Sequence, residues 1–586
     1  MYLAKANKIK TGYLYLCLFF LVVCALACSK KDAPASSIKT PSNLTVAVEL
    51  VGATTAMPDG DGSGSVNIEV AAQNATTYQV ILPTEGNKTF TLNNPSGGKV
   101  SYAFTSHPNA TTAYPVQVIV YNGSVHKDTS FSVQVYCGLM HADVAYWLTT
   151  PDKSTLFEQQ NVALNFGTAT NGYGTISVDA NQKYQSIDGF GFTMTGGSAS
   201  LINGLASTAK ENLLKELFAT DGSDIGVSYL RLSIGASDLS ATAFTYDDTP
   251  GDTELKDFSI DKEKADLIPV LQKIMAINPD IKIIATPWSA PAWMKSNNSL
   301  YGGGATPGTL LPAYYQSYAN YFVKYIQAMA KEGITIDAVT PQNEPLNSYN
   351  NPSMLMDAPS ENDFIKNYLA PAFKASGLTT KIIVYDHNLD HPEYATDILS
   401  DPDTYKLVDG AAFHLYAGDI TKMSEVHDQF PEKNLYFTEQ YTSASGNFGS
   451  DLQWHVQNLI IGATKNWSKN VLEWNLASDP NNQPHLSGGC SDCLGAITIS
   501  GDAVSKRNQS YYIIAHAAKF VRPGSVRIGS STATNLLNVA FLTPEGKKVL
   551  IVLNTAPVAM TFNIAADGKT VTPTLPAGAV ATFVWQ

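Results

Sequence analysis

Cysteine is scarce in this chain of 586 residues, and the six present stand at 17, 24, 28, 137, 490 and 493. So few thiols exclude a small disulfide-stapled scaffold, and the length points instead to two or three modules with cores of their own. Charge is sparse too. Only 15% of residues are Asp, Glu, Lys or Arg, and the net charge of −13 is spread without long runs of one sign. A polyanion gains nothing from such a surface, so no nucleic-acid partner is expected and a neutral substrate is. The apolar run 13–27 falls short of the ~20 residues that a membrane-crossing helix needs.

What the N-terminus does contain is Lys5, Lys8 and Lys10, the apolar run, and small residues ahead of Cys28. That order predicts a secretory signal over 1–28, and so export. Leu26-Ala27-Cys28 resembles a bacterial lipoprotein cleavage site. The resemblance implies that Cys28 is lipidated and anchors the protein to the outer membrane, on its surface or its periplasmic face. An ordinary signal with an incidental cysteine is the plainer alternative. Residues 29–41, rich in Ser, Pro and Lys, read as a tether. From 42 to 140, short alternating runs such as Asn43-Leu44-Thr45-Val46-Ala47-Val48 are separated by Gly, Asn, Pro and Asp. They predict an immunoglobulin-like β-sandwich, either a spacer or a glycan-binding module.

Residues 141–185 add further strands, and 186–523 settle into a regular alternation. Apolar strand candidates stand at 189–195, 229–234, 282–287, 335–339, 381–385, 411–416, 434–438 and 470–475. Helical-period segments follow at 208–218, 262–277, 311–331, 361–375, 451–466 and 509–521. The fold class is therefore α/β, with eight strand-then-helix units closing a (β/α)8 TIM barrel. Pro523-Gly524 stops the last helix, and 524–586 reverts to alternating strands. These predict a C-terminal β-sandwich domain that closes against 141–185.

Two glutamates organise the barrel. Glu344, in Thr340-Pro341-Gln342-Asn343-Glu344-Pro345-Leu346, follows the fourth strand, and Glu439, in Leu435-Tyr436-Phe437-Thr438-Glu439-Gln440, ends the seventh. Strands three apart face each other across the mouth of an eight-stranded ring, at the end where active sites of this fold gather. One carboxyl alone would read as an ion-paired surface group. Two facing carboxyls are the equipment of glycoside hydrolysis, which needs no cofactor beyond water. Cys490-Ser491-Asp492-Cys493 is a local disulfide, a pair of free thiols or, with His485, an incomplete zinc fragment; no metal is expected.

Further motifs lie in order along the barrel: Ile187-Asp188-Gly189-Phe190-Gly191, Arg231-Leu232-Ser233-Ile234-Gly235 with Ser237-Asp238, Pro287-Trp288-Ser289-Ala290-Pro291, Asn343-Glu344-Pro345, Phe413-His414-Leu415-Tyr416 and Trp474-Asn475-Leu476. With them, residues 146–586 resemble glycoside hydrolase family 30, the group of glucosylceramidases and endo-β-1,6-glucanases. The resemblance implies Glu344 as general acid/base, Glu439 as nucleophile and retention of anomeric configuration. It gives sugar recognition to Asp238, Trp288, Asn343, His414, Tyr416 and Trp474, with core packing the alternative for both tryptophans and for His414. Where many relatives carry Trp, this chain has Leu415. Catalysis asks for a neutral Glu344, favoured by a partly desolvated site and the charge of Glu439, and an ionised Glu439, for which Arg231 is the candidate cation. The implied substrate is a neutral β-linked glycan, foremost β-1,6-glucan. A glucosylceramidase, a β-xylosidase or a β-fucosidase shares the chemistry, and a barrel that binds surface glycan without cleaving it is the non-enzymatic alternative. The sequence leaves the oligomeric state open.

Overall fold

The structure, a computed structural model, describes residues 37–55, 57–105, 110–168 and 170–586. The expected signal, the lipidation site Cys28 and most of the tether lie outside the described residues. The chain divides into two compact units between Leu139 and Met140. Among the described residues no helix is long and apolar enough to cross a membrane.

The N-terminal unit pairs a three-stranded sheet (Ser42–Leu50, Ser65–Gln73 and Gly98–Ala103) with a four-stranded one (Lys88–Leu92, Thr77–Leu82, Ala110–Asn122 and Val125–Cys137). Every second residue points inward, so Val66, Ile68 and Val70 meet Tyr78, Val80, Leu82, Val116, Val118 and Val120 in one core.

In the second unit, eight parallel strands close a barrel: β1 Gly189–Thr193, β2 Tyr229–Ser233, β3 Lys282–Thr286, β4 Ala338–Val339, β5 Lys381–Leu389, β6 Gly410–Gly418, β7 Asn434–Glu439 and β8 Ser468–Asn475. β8 pairs back onto β1. Backbones approach closely at the glycines. A Cβ on Gly191 would stand 1.8 Å from the Tyr229 carbonyl oxygen, which leaves that place to glycine.

Three expected helices are interrupted; a proline explains the break in two of them, while the third, Phe448–His455, widens to a π turn at Val456–Ala463 that holds no proline. Pro269 lacks an N–H and belongs in a first turn, so the helix Leu267–Ile277 begins there, after a separate short turn at Asp261–Lys264. The segment starting at Ala358 widens to a π turn at Ile365–Leu369, directly before Pro371, which cannot donate to the turn behind it. The helix Tyr315–Lys331 buries Tyr315, Tyr318, Ala319, Phe322 and Ile326 on one face and needs no such device.

Strands from both flanks of the barrel share one nine-stranded sheet. Ala145–Thr149, Leu156–Gln159 and Thr175–Ser186 join Val526–Ser530, Leu536–Leu542, Lys548–Asn554, Asn563–Ala566, Lys569–Val571 and Val580–Trp585. One face of this sheet extends the barrel's core through Val539, Phe541, Val549, Ile551, Leu553 and Val580. The other face closes a core of its own around Ile176, Leu550, Phe562 and Phe583.

Candidate active site

The barrel's interior is layered. Tyr229, Ile284, Ala338, Ile383, Ala412, Tyr436 and Leu472, one from each of β2 to β8, form a buried apolar plug. Two residues further along, the same inward phase brings Arg231, Thr286, Thr340, His414 and Thr438 to the C-terminal end. β5 breaks the phase. Tyr385 and Asp386 both have positive φ, 76° and 71°, and the register with β6 shifts between Tyr385 and His387. This bulge turns Asp386 into the barrel in place of Tyr385, whose ring packs against Tyr394 and Phe413.

Asp386 is fully buried and collects donors from four strands or strand ends. Arg231 Nη2 lies at 2.9 Å, Thr340 Oγ1 at 2.8 Å, Thr438 Oγ1 at 2.6 Å and His414 Nε2 at 3.1 Å. Burial alone would raise its pKa, but Arg231 and His414 hold the carboxyl far below the usual range. Arg231 spends its other donors on the site, placing Nη1 2.5 Å from Glu439 Oε2 and Nη2 2.6 Å from Asn343 Oδ1. Its guanidinium lies over Trp288, 4.9 Å from the ring centre, and Trp288 stacks on Trp474 at 5.2 Å.

Glu344 and Glu439 sit above this layer. Glu344 is held in left-handed backbone, φ 47°, by its N–H on the Asp386 carbonyl oxygen at 3.0 Å. Asn347 Nδ2 donates to Glu344 Oε2 at 2.7 Å, and the Tyr416 hydroxyl donates to Glu439 Oε1 at 2.9 Å. His414 Nδ1 stands between the two carboxyls, 3.3 Å from Glu344 Oε1 and 3.9 Å from Glu439 Oε1. One donor atom from each of Glu344, His414 and Glu439 falls within 4.8 Å of the others.

The expected protonation of the pair is reversed at Glu344. Burial pushes that carboxyl up, but the His414 bond and the Asn347 amide outweigh it and bring it down to about 2. Burial pushes the His414 ring down, but the Glu439 charge and the bonds to Asp386 and Glu344 raise it to about 9. Between these two groups the proton therefore rests on His414. The sequence reading had weighed desolvation and the charge of Glu439 and had no sight of Asp386. Glu439 itself is raised by burial, against the pull of His414 and Arg231. This trio does not suit a metal ion, because an imidazolium has no free lone pair and Arg231 already serves Glu439.

The cleft over the two carboxyls has a volume of about 410 Å³ and is lined by Asp238, Glu344, Tyr416, Glu439 and Trp474 among the predicted residues. Arg231, Trp288, Asn343 and His414 lie in the layer behind. Asn347, Tyr349, Asn350, Asn388, Tyr441 and the segment Gly488 to Cys493 complete the wall. The sequence reading missed Asn347, Tyr349, Asn350 and Asn388 together with Asp386. A larger cavity of about 940 Å³, near Trp147, Phe520 and Arg522, lies away from the carboxylate pair. Asp238 Oδ1 and Trp288 Nε1 are buried without a partner. Cys490 and Cys493 are joined as a disulfide, which closes the zinc and free-thiol readings. Leu415 is buried in the barrel's apolar core.

Comparison with known proteins agrees with this architecture. Residues 187–521 match the glycosyl hydrolase family 30 TIM-barrel domain, and residues 524–583 match the family's β-sandwich domain. An endo-1,6-β-D-glucanase of Trichoderma harzianum is 34% identical over 421 residues, 68% of this chain and 84% of the fungal one. The lysosomal acid glucosylceramidase of Mus musculus is 30% identical over 436 residues, 70% of this chain and 83% of the mouse one. The solved structure of an endo-β-1,6-glucanase superposes with a TM-score of 0.70 at 35% identity, covering 76% of this chain and 99% of the other. Both family domains thus follow one another along one chain, and this chain belongs to glycoside hydrolase family 30, as an enzyme that cleaves glycosidic bonds.

Proposed function

We propose that the protein is a retaining β-glycosidase that cleaves β-1,6-glucan or related β-glucosides by double displacement. The observation that carries the reading is the spacing of the two carboxyls, whose nearest oxygens fall within 4.8 Å. That lies close to the ~5–5.5 Å of retaining pairs and far from the ~6.5–9.5 Å that leaves room for an inverting water. Glu439 attacks the anomeric carbon while Glu344 gives its proton to the departing oxygen. A water then loses a proton to Glu344 and releases the sugar from Glu439. Arg231 and the Tyr416 hydroxyl hold Glu439 on line. Glu344 enters this cycle by taking the proton that His414 holds 3.3 Å away. A sugar that displaces water from the cleft favours the transfer, because desolvation favours the neutral acid.

The linkage rests on the relatives named endo-1,6-β-glucanase, and the mouse relative keeps a glucosylceramide-type β-glucoside as the second candidate. Hydrolysis of a linear β-1,6-glucan followed by proton NMR is expected to yield the β anomer first, with activity lost in Glu439→Gln. An α anomer first, or full activity in that variant, overturns the mechanism. Cleavage of glucosylceramide in preference to the polymer overturns the substrate. Export and lipid anchoring through Cys28 belong to the same reading. They predict palmitate labelling of the wild type and none of Cys28→Ala.

A further inference from the structure

The disulfide between Cys490 and Cys493 stands in the wall of the cleft that holds Glu344 and Glu439, and the proposed chemistry does not use it. Its four-residue ring is tied to the ends of three barrel strands. Beyond β7, the Asp492 carboxylate accepts from Ser443 Oγ at 2.5 Å and from the Ser445 N–H at 3.2 Å, while the Ala444 N–H donates to the Asp492 carbonyl at 2.9 Å. At β8, Asn475 Nδ2 donates to the Cys493 carbonyl at 3.3 Å. Beyond β2, the Cys490 N–H donates to Asp238 Oδ2 at 3.1 Å, and the Leu486 N–H to the Asp238 carbonyl at 2.7 Å.

Asp238 is thus gripped by one carboxylate oxygen. Its other oxygen, Oδ1, has no partner, although the residue is only 4% exposed. A buried acceptor left in that state costs stability until a ligand supplies donors, and a pair of sugar hydroxyls does so. The grip depends on close approach. A Cβ on Gly489 would stand 2.6 Å from the Asp238 carbonyl oxygen and 3.1 Å from Asp238 Cβ.

We infer that the Cys490–Cys493 ring is a positioning device for the substrate: it fixes the Asp238 carboxylate so that the free oxygen meets the hydroxyls of the sugar bound over Glu344 and Glu439. The inference rests on the proposed reading of Asp238 as a sugar ligand. It also bears on pH. Burial raises the Asp238 carboxyl to about 7, the Glu439 and Glu344 charges add to this, and the Cys490 N–H opposes it. The Tyr416 phenol meets the same charges from β6. Opening the ring removes the opposing donor, so Asp238 titrates at higher pH.

The test compares wild type, Cys490→Ser/Cys493→Ser, Gly489→Ala and Asp238→Ala for calorimetric binding of a gluco-configured iminosugar and for KM and kcat on β-1,6-glucan. Opening the ring, or pushing it away with Gly489→Ala while the disulfide stays formed, is expected to raise Kd and KM about tenfold and leave kcat within about threefold. The midpoint of the binding pH profile moves up. In the Asp238→Ala background the same changes add less than about twofold. Phosphine reduction of the folded wild type, with its melting temperature followed, covers the case in which the double serine variant does not fold. Wild-type Kd after reduction, or a full additional loss in Asp238→Ala, overturns the inference and leaves the reading of Asp238 standing. Undiminished binding by Asp238→Ala alone overturns that reading, and the ring's role with it.

Discussion

At the scale of single residues, the centre of the site is a side chain that touches neither edge of the cleft. Asp386 neutralises Arg231 and His414 together, and removing its charge leaves two buried cations with one fewer partner. Asp386→Asn is therefore expected to cost about 3–5 kcal/mol of stability in urea melts. It also lowers kcat/KM by about 10²-fold, because His414 no longer holds the proton that Glu344 takes up. A fall in stability with full activity would separate the two roles. Asp386 was not legible in the sequence. Strict alternation along Ile383-Val384-Tyr385-Asp386 turns Tyr385 inward, and only a bulge with two left-handed residues reverses it. Glu344 and Glu439 were legible as facing carboxyls because each follows an apolar run at a strand's C-terminal end, three strands apart in the ring. The protonation of Glu344 was not, since it depends on neighbours from β5 and β6 that no local pattern reveals.

At the scale of elements, contiguous apolar runs marked all eight barrel strands. β4 shrinks to Ala338–Val339, although its neighbours find it in register on both sides. The helices were legible as periodic segments, while their breaks were not: two follow a proline and the π turn at Val456–Ala463 follows none. Glycine decides the close contacts between strands. Gly191→Ala drives a methyl into the Tyr229 carbonyl oxygen and must part β1 from β2. It is expected to cost at least about 1–3 kcal/mol, read as a lower denaturant midpoint with an unchanged slope. An unchanged midpoint would mean that the barrel relaxes freely at that seam.

At the scale of the whole molecule, buried acids set the response to pH. Burial raises Glu263 to about 7 and Glu361 to about 8, and the cluster raises His414 to about 9. Each raised group contributes stability that is fully present below its unfolded value, ~4.3 for Glu and ~6.5 for His. That contribution is lost as pH climbs through the folded value. The melting temperature is accordingly expected to fall from pH 5 to pH 9, less steeply in Glu361→Gln. A flat or rising curve would contradict the assignment. Removal of residues 1–139 is expected to leave kcat/KM on soluble glucan unchanged, since every residue of the site lies between Arg231 and Cys493. Cutting after residue 523 is expected to give insoluble protein, because Val539, Phe541, Val549, Ile551 and Leu553 complete the barrel's own core. The pairing of Ala145–Thr149 with Val580–Trp585 carries a kinetic consequence. The first strand of the catalytic unit pairs on one edge with Leu156–Gln159 close by, but its other edge waits for a partner until more than 400 residues of intervening chain have been synthesised. Until Val580–Trp585 emerges from the ribosome that edge stays open, and the sheet beside the barrel closes late in synthesis.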